Sequence, residues 1–97
     1  MKIPLRDDIP PKAYFTFVAR HIPKAQYTYL RLWEKMDDNY QVIVSHKDTR
    51  ADYNTNLSKF RHDLFLLSSE GLINFSEDEE NKFIKIEVTA WDPEQSL

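Results

Sequence analysis

The sequence contains no cysteine and a single glycine. The lack of cysteine excludes disulfide bonds and thiolate metal sites, and one glycine is too few for the glycine-rich loops that hold nucleotide phosphates. No apolar run approaches the roughly 20 residues that a membrane-spanning helix needs. The first residues, from Met1 to Asp8, also lack the apolar segment of a secretion signal. These absences predict a cytoplasmic protein with no membrane partner.

Groups suited to catalysis or metal binding are also sparse. His21, His46 and His62 have no metal-ligand spacing. The Ser68-Ser69 pair has no base placed to activate it, and the acidic residues cluster in one turn rather than facing one another. We therefore predict a protein that is not an enzyme and that uses no metal or other cofactor.

Length and composition are those of one ordinary globular domain. The 97 residues are 41% hydrophobic and 30% charged, as in typical globular proteins. Prolines near the N-terminus predict an extended arm over residues 1–12, and an Asp-Pro pair near the C-terminus predicts a frayed tail over residues 92–97. The sequence thus predicts a single domain over residues 1–97.

Charge is distributed unevenly along the chain. The formal net charge is −3. Up to Glu70 there are 11 Lys and Arg residues against 9 Asp and Glu, whereas from Gly71 onward there are 2 against 7. The body of the protein is therefore mildly basic and its C-terminal part is acidic, so the surface of one element says more about a partner than the total charge does.

The clearest pattern is an amphipathic helix over residues 55–70. Four apolar residues recur at the spacing of one helical face: Leu57, Phe60, Leu64 and Leu67. Because residues three and four positions apart share a side of an α-helix, this face is predicted to be buried. Gly71 follows, and glycine readily adopts the left-handed conformation that ends a helix. The polar run Asn54–Asn56 supplies candidates for the N-cap.

A β-hairpin is predicted after this helix. Its first strand is Leu72–Phe75, and its second strand, Phe83–Trp91, alternates apolar with polar residues. The residues of the second strand predicted to face inward are Ile84, Ile86, Val88 and Ala90. The segment Ser76–Asn81 contains four consecutive acidic residues and is predicted to be a solvated turn that also protects a strand edge.

Two further helices are predicted nearer the N-terminus. Tyr14–Ala19 fits either a short strand or a helix that begins at Pro11, and the helical face shared by its apolar residues favours the helix. The next helix is predicted to begin at Pro23 and to end before Asp37. Its apolar face comprises Ala25, Tyr29, Leu32, Trp33 and Met36.

The segment between these helices and the helix over residues 55–70 is less regular. Tyr40–Val44 is rich in β-branched residues and is predicted to be a strand. Ser45 is then a candidate N-cap, with Asp48 in the capping-box position. His46–Tyr53 fits either a short helix or a solvated loop, and the helix is favoured.

This order of elements resembles a winged helix-turn-helix domain over residues 23–91. The most specific part of the resemblance is Leu57-x-x-Phe60-x-x-x-Leu64-x-x-Leu67-x-x-x-Gly71-Leu72-Ile73. It is similar to the recognition helix and wing entry of bacterial and phage winged-helix regulators and replication proteins. The resemblance implies an α+β fold with three to four helices, a small antiparallel sheet and a C-terminal hairpin wing. His46–Tyr53 departs from the family, because it has few aliphatic residues and no turn glycine.

The resemblance implies sequence-specific binding of double-stranded DNA through the helix over residues 55–70. In such domains this helix lies in the major groove, where polar side chains bind base edges and cations bind phosphates. The implied DNA-binding residues are Lys47, Arg50, Asn54, Thr55, Asn56, Ser58, Lys59, Arg61 and His62. The implied function is that of a small regulator of transcription, or of plasmid or phage replication or partition.

The acidic hairpin over residues 76–81 is the feature that fits DNA least, because carboxylates repel phosphates. It predicts either a wing held away from DNA or, as an alternative function, a protein-interaction module that binds a protein partner and no DNA. Phe65 and Leu66 lie off the buried helical face, and exposed apolar residues of this kind mark partner sites. A homodimer is therefore also predicted, as winged-helix regulators commonly dimerise.

Overall fold

The computed structural model describes residues 10–89 of the chain. Within this range the helices are α1 (Pro11–His21), α2 (Gln26–Lys35), α3 (Thr49–Tyr53) and α4 (Leu57–Ser69). The strands are β1 (Gln41–Ser45), β2 (Ile73–Asp78) and β3 (Phe83–Val88), and 3-10 turns lie at Pro23–Ala25 and His46–Asp48. None of these helices is long and apolar enough to cross a membrane. The architecture is α+β with a small antiparallel sheet, which confirms the predicted fold class and is compatible with a winged helix.

The sheet has the strand order β1–β3–β2, so the last strand lies between the other two. β3 pairs antiparallel with both neighbours, and Ile86 lies opposite Val42 on β1 and Phe75 on β2. Along β3, Ile84, Ile86 and Val88 are buried while the residues between them are exposed. One face of the sheet therefore packs on the helices and the other faces solvent, as the alternation predicted.

A hydrophobic core joins the helices to the sheet. α4 contributes Phe60, Leu64 and Leu67, all fully buried as the helical spacing predicted. Leu57, the fourth residue of the predicted face, is only partly buried. The Tyr53 ring of α3 packs on Phe60 with the ring centroids 4.7 Å apart. Since full burial of a large apolar side chain contributes about 1.5–3 kcal/mol, these contacts hold α3 against α4.

The aromatic residues of α1 and α2 belong to the same core. Tyr14 packs on Trp33 with the ring centroids 5.6 Å apart, and the ring centroid of Phe15 lies 4.9 Å from that of Trp33. α1 begins at Pro11, where a proline removes no helical hydrogen bond. The helix favoured by the sequence is confirmed, but the last two residues of the predicted arm over residues 1–12 belong to it.

β1 begins one residue later than predicted, because of the local backbone conformation. Tyr40 has a φ of 63°, a left-handed conformation that does not fit a strand, so β1 begins at Gln41. The Asp37 carboxylate holds this turn by accepting the Asn39 and Gln41 N–H groups at 2.8 and 3.0 Å. The helix predicted from Pro23 is likewise modified, since it begins as a 3-10 turn before α2.

The segment from His46 to Tyr53 is helical, as favoured, and Ser45 is at the N-cap position, as predicted. The segment forms a 3-10 turn followed by α3. The Ser45 side chain, however, makes no capping hydrogen bond. Instead, the turn is held against the hairpin by a hydrogen bond from the His46 N–H to the Lys82 carbonyl at 3.0 Å.

The hairpin has longer pairing and a shorter turn than predicted. β2 continues to Asp78, so residues 76–78 form a strand instead of the predicted turn over residues 76–81. Glu77 lies opposite Ile84 of β3. Consecutive polar residues show no apolar alternation, so the sequence pattern could not indicate this strand.

Parts of the predictions lie outside the described residues. β3 ends at Val88, so Thr89 is not part of the strand predicted over Phe83–Trp91. The last two residues of that prediction, Ala90 and Trp91, lie outside the described range. The tail over residues 92–97 and the first nine residues of the predicted arm also lie outside the described range.

Gly71 ends α4 as predicted. It has a φ of 77°, and its N–H donates to the Ser68 carbonyl at 3.0 Å. The Leu72 N–H donates to the Leu67 carbonyl at 3.1 Å. These two hydrogen bonds form a Schellman motif, which commonly includes an apolar contact between the residues at the two ends of the longer bond. Those residues here are Leu67 and Leu72, and both are fully buried. The helix therefore turns directly into the sheet.

We expect Gly71→Ala to lower the free energy of unfolding by about 1–2 kcal/mol, the cost of a left-handed conformation for an L residue. An added Cβ would meet no atom within 4 Å, so the loss comes from the backbone alone. Gly71→Asn should cost less, because asparagine tolerates this conformation. Urea denaturation of the three proteins measures both differences, and equal stability of Gly71→Ala and wild type would contradict the explanation.

Candidate functional site

The residues between α3 and α4 build the start of α4. Asn56 is the N-cap, and its Oδ1 accepts a hydrogen bond from the Lys59 N–H at 2.8 Å. Asn54 takes the left-handed conformation after α3, with a φ of 53°. Thr55 between them is only 7% exposed. The predicted N-cap among these residues is confirmed, and the Thr55 side chain faces the protein.

A buried carboxylate organises one flank of α4. Asp63 is 1% exposed, and its Oδ2 accepts a hydrogen bond from the Thr28 hydroxyl of α2 at 2.8 Å. The Lys59 ammonium lies 3.0 Å from both oxygens of Asp63 and also donates to the Lys24 carbonyl at 3.1 Å. Because an unpaired buried carboxylate is strongly destabilising, Lys59 has a structural role. It ties α4 to the turn that contains Lys24.

The opposite flank of α4 holds the hairpin. Arg61 binds Glu77 of β2 with two nitrogens: Nε lies 2.9 Å from Oε1, and Nη2 donates to Oε2. Nη2 also lies 3.4 Å from Glu79. His46 Nε2 is 2.9 Å from Glu77 Oε2. Arg61, Glu77 and His46 form a cluster, here called the wing clasp, that links α4, β2 and the turn after β1.

Within the wing clasp, the charges of Arg61 and Glu77 stabilise one another. The hydrogen bonds from Arg61 hold the pKa of Glu77 below its ordinary value, and burial opposes this with a smaller effect. The same hydrogen bonding raises the pKa of Arg61. Bidentate guanidinium–carboxylate contacts are among the stronger charge-assisted hydrogen bonds. The Glu77 side chain is 16% exposed, so its charge is directed into the protein.

The other acidic residues of the hairpin have different surroundings. Asp78 accepts hydrogen bonds from the side-chain amide and the N–H of Asn81, both at 2.9 Å, and these bonds lower the pKa of Asp78. Glu79 is 75% exposed, and Glu80 is exposed without an ion pair to any described residue. Of the four consecutive acidic residues in the hairpin, Glu79 and Glu80 are therefore exposed to solvent, whereas Glu77 and Asp78 are bound within the protein.

The outward face of α4 carries no acidic side chain. Its residues follow one another at helical spacing: Ser58, His62, Phe65 and Ser69. All four are exposed, and Phe65 is 61% exposed. We call these four residues the outward face; it is polar at its N-terminal end and has an aromatic ring near its centre.

Two exposed cations lie in the segments between β1 and α4. Lys47 is in the 3-10 turn after β1, and Arg50 is in α3. Both are exposed, and neither forms an ion pair with another residue between 10 and 89. Because the neighbouring His46 contacts Glu77, Lys47 lies on the Arg61 flank of α4.

The nine residues predicted to bind DNA therefore have different surroundings. Those exposed with no ion pair inside the described range are Lys47, Arg50, Asn54, Ser58 and His62. Those whose polar groups are engaged by the protein are Asn56, Lys59 and Arg61, and the buried one is Thr55. Contacts of these four residues with DNA bases stay predictions, and each would compete with the burial or the hydrogen bonds that the residue has in the protein.

Sequence reasoning did not identify the two carboxylates that bind the flanks of α4. The spacing of Lys59 and Asp63 was a usable signal, because opposite charges four residues apart on a helix are neighbours. No comparable signal indicated Glu77, which lies 16 residues from Arg61 and meets it only when the hairpin packs beside α4.

The wing clasp predicts a dependence of stability on pH. The pKa of Glu77 is lower in the folded than in the unfolded protein, so its contribution is present above the ordinary glutamate pKa of about 4.3. The contribution is lost as the pH falls through the lowered folded value. We expect Glu77→Gln to lower the melting temperature at pH 7. Between about pH 5 and pH 3, the melting temperature of this variant should decrease less with falling pH than that of wild type.

Thermal melts followed by circular dichroism test this, with Glu80→Gln as the matched control. Glu80 has no described ion-pair partner, so its substitution should leave the pH profile unchanged. Parallel profiles for Glu77→Gln and wild type would show that the wing clasp does not contribute to stability.

Within residues 10–89, no group of three or more His, Cys, Asp or Glu side chains is placed to hold a metal ion. Comparison of the chain with protein-family models, curated proteins and solved structures found no match. The surroundings of α4 are therefore the basis on which a function can be inferred.

Proposed function

We propose that this protein binds double-stranded DNA through the outward face of α4, as a small regulator of transcription or of replication or partition. The observation that carries the proposal is the charge arrangement around α4. Asp63 and Glu77 are bound on its flanks, and the outward face carries no acidic side chain. Lys47 and Arg50, in the segments before α4, are exposed and form no ion pair with another residue between 10 and 89. An uncharged polar face with cations beside it suits the major groove, where base edges lie between two phosphate backbones.

The outward face offers suitable groups for base recognition. Ser58 lies in the first turn of α4, and recognition helices contact bases through residues near their N-termini. His62 is one helical turn further along. Hydroxyl and imidazole groups both donate and accept hydrogen bonds, and an apolar residue such as Phe65 suits the methyl group of thymine. In this proposal Ser58 and His62 determine sequence preference.

Arg61 and Glu77 have a positioning role in this proposal. If Arg61 turned toward DNA, it would leave the Glu77 carboxylate without its main partner and close to phosphates. With the wing clasp intact, that charge is matched inside the protein. The acidic hairpin is then a lesser obstacle to DNA than its sequence indicated, because Glu77 is not presented to the ligand.

We expect Lys47→Ala and Arg50→Ala each to make the dependence of log Kobs on log salt less steep by about 0.9, the change for one lost phosphate contact. Fluorescence anisotropy with duplex DNA between 50 and 200 mM salt measures the slope. Ser58→Ala and His62→Ala should leave the slope unchanged and reduce sequence preference in selection from random duplexes.

Lys35→Ala is the matched control, because the Lys35 Nζ lies 3.6 Å from the Asp52 Oδ1 and therefore already forms an ion pair within the protein. Its slope should equal that of wild type. Absence of salt-sensitive DNA binding by wild type at micromolar protein concentration would contradict the proposal.

A protein-interaction module is the second candidate, and the exposure of Phe65 favours it. An aromatic ring that is 61% exposed at the centre of a helical face is the kind of residue that anchors a protein partner. The exposed Glu79 and Glu80 would add charge at the edge of such an interface. In this alternative the protein binds another protein or a second copy of itself, and no DNA.

For this alternative, we expect Phe65→Ser to abolish association, measured by sedimentation equilibrium for self-association and by stoichiometric capture from nuclease-treated lysate for another protein. Leu30→Ser on α2 is the matched control, because Leu30 is also an exposed apolar residue, at 45%. Association that survives Phe65→Ser would exclude the outward face as the interface.

A further inference from the structure

A long segment of the chain contains cations and no acidic residue. The nearest acidic residues in the sequence are Asp8 before it and Glu34 after it. The Lys and Arg residues between them are Lys12, Arg20, Lys24 and Arg31. In a chain with a net charge of −3, this segment makes one region locally basic.

Three of these cations lie exposed on α1 and the turn after it. Lys12 and Arg20 line the same shallow groove, of about 400 Å³, together with Phe17 and His21. Lys24 follows in the turn before α2. Arg31 is set apart, since it already bonds to the Asp52 carbonyl and to Glu34. We call Lys12, Arg20 and Lys24 the α1 basic surface; none of them has an ion-pair partner among residues 10–89.

Helix stability does not account for the whole of this surface. Arg20 is in the last turn of α1, where a positive charge favours the helix dipole. Lys12 is in the first turn, where a positive charge is unfavourable, and Lys24 lies outside the helix. A ligand of negative charge would explain all three.

The α1 basic surface adjoins the proposed DNA surface. The Lys24 carbonyl accepts a hydrogen bond from the Lys59 ammonium at 3.1 Å, so this turn lies against the first turn of α4. Lys59 is on the Asp63 flank of α4, whereas Lys47 is on the Arg61 flank. Lys24 and Lys47, which have no ion-pair partner within the described range, therefore lie on opposite flanks of the outward face.

This two-sided arrangement matches the geometry of duplex DNA. The major groove is about 12 Å wide and an α-helix with its side chains is about 10–12 Å across, so a helix in the groove has a phosphate backbone on each side. Lys12 and Arg20 are eight positions apart, or about 12 Å along the helix axis. They can therefore follow a backbone beyond the reach of α4.

We infer that the α1 basic surface binds the phosphates of one DNA strand while Lys47 and Arg50 bind those of the other. This inference rests on the proposed function and extends it, because it makes α1 part of the DNA interface. The ligand is the phosphate backbone of a duplex, so the contribution is independent of base sequence.

The test measures how strongly the binding of wild type and of each variant depends on salt. The ligand is a 30-base-pair duplex of random sequence, which is about three helical turns long. We expect the triple variant Lys12→Gln, Arg20→Gln and Lys24→Gln to make the slope of log Kobs against log salt less steep by about 2–3, at about 0.9 per phosphate contact. The charge-preserving variant Lys12→Arg, Arg20→Lys and Lys24→Arg should retain the wild-type slope. Lys85→Gln on the solvent face of β3 is the matched control and should also retain it.

Thermal melts establish that each variant folds; if the triple variant does not, Lys12→Gln and Lys24→Gln are measured singly, each with an expected change of about 0.9. Salt-sensitive binding by wild type with an unchanged slope in these variants would overturn this inference and leave the proposed function intact. Absence of salt-sensitive binding by wild type would overturn both. Binding of wild type to polyglutamate but not to duplex, lost in the triple variant, would assign the surface to an acidic protein partner and overturn the inference.

Discussion

The burial of one face of α4 is the constraint on which the rest of the structure depends. Three large apolar side chains of this helix enter the core with no exposed surface. Helix geometry then places Lys59 and Arg61 on opposite flanks. Each flank meets a carboxylate, Asp63 within the same helix and Glu77 from the hairpin. The outward face is what remains, and its four residues include no acidic side chain.

The total charge of the chain conceals this arrangement. The net charge of −3 comes largely from the C-terminal part, yet Glu77 is bound by Arg61 and Asp78 is bound by Asn81. The N-terminal helix and its following turn carry cations without acidic neighbours in sequence. A protein with an acidic total can therefore present an uncharged helical face with exposed cations in neighbouring segments, the charge distribution on which the proposed function rests.

Periodicity predicted the elements that bury an apolar face. The stripe on α4, the alternation on β3 and the glycine after α4 each reflect a strong local requirement, and all three were confirmed. Prediction was wrong where polar residues took part in long-range contacts. Residues 76–78 were assigned to a turn, yet they pair with β3 and are held by α4.

The sequence by itself determined the α+β class, the order of the elements and which face of α4 is buried, because apolar spacing is a local property that burial makes decisive. It also determined which side chains are available for recognition. Only the tertiary structure decided which of them are free. Arg61 and Glu77 are far apart in the chain, and their contact depends on the docking of the hairpin beside α4. That contact, together with the buried Asp63, separates the polar groups that hold the fold from those that remain for a ligand.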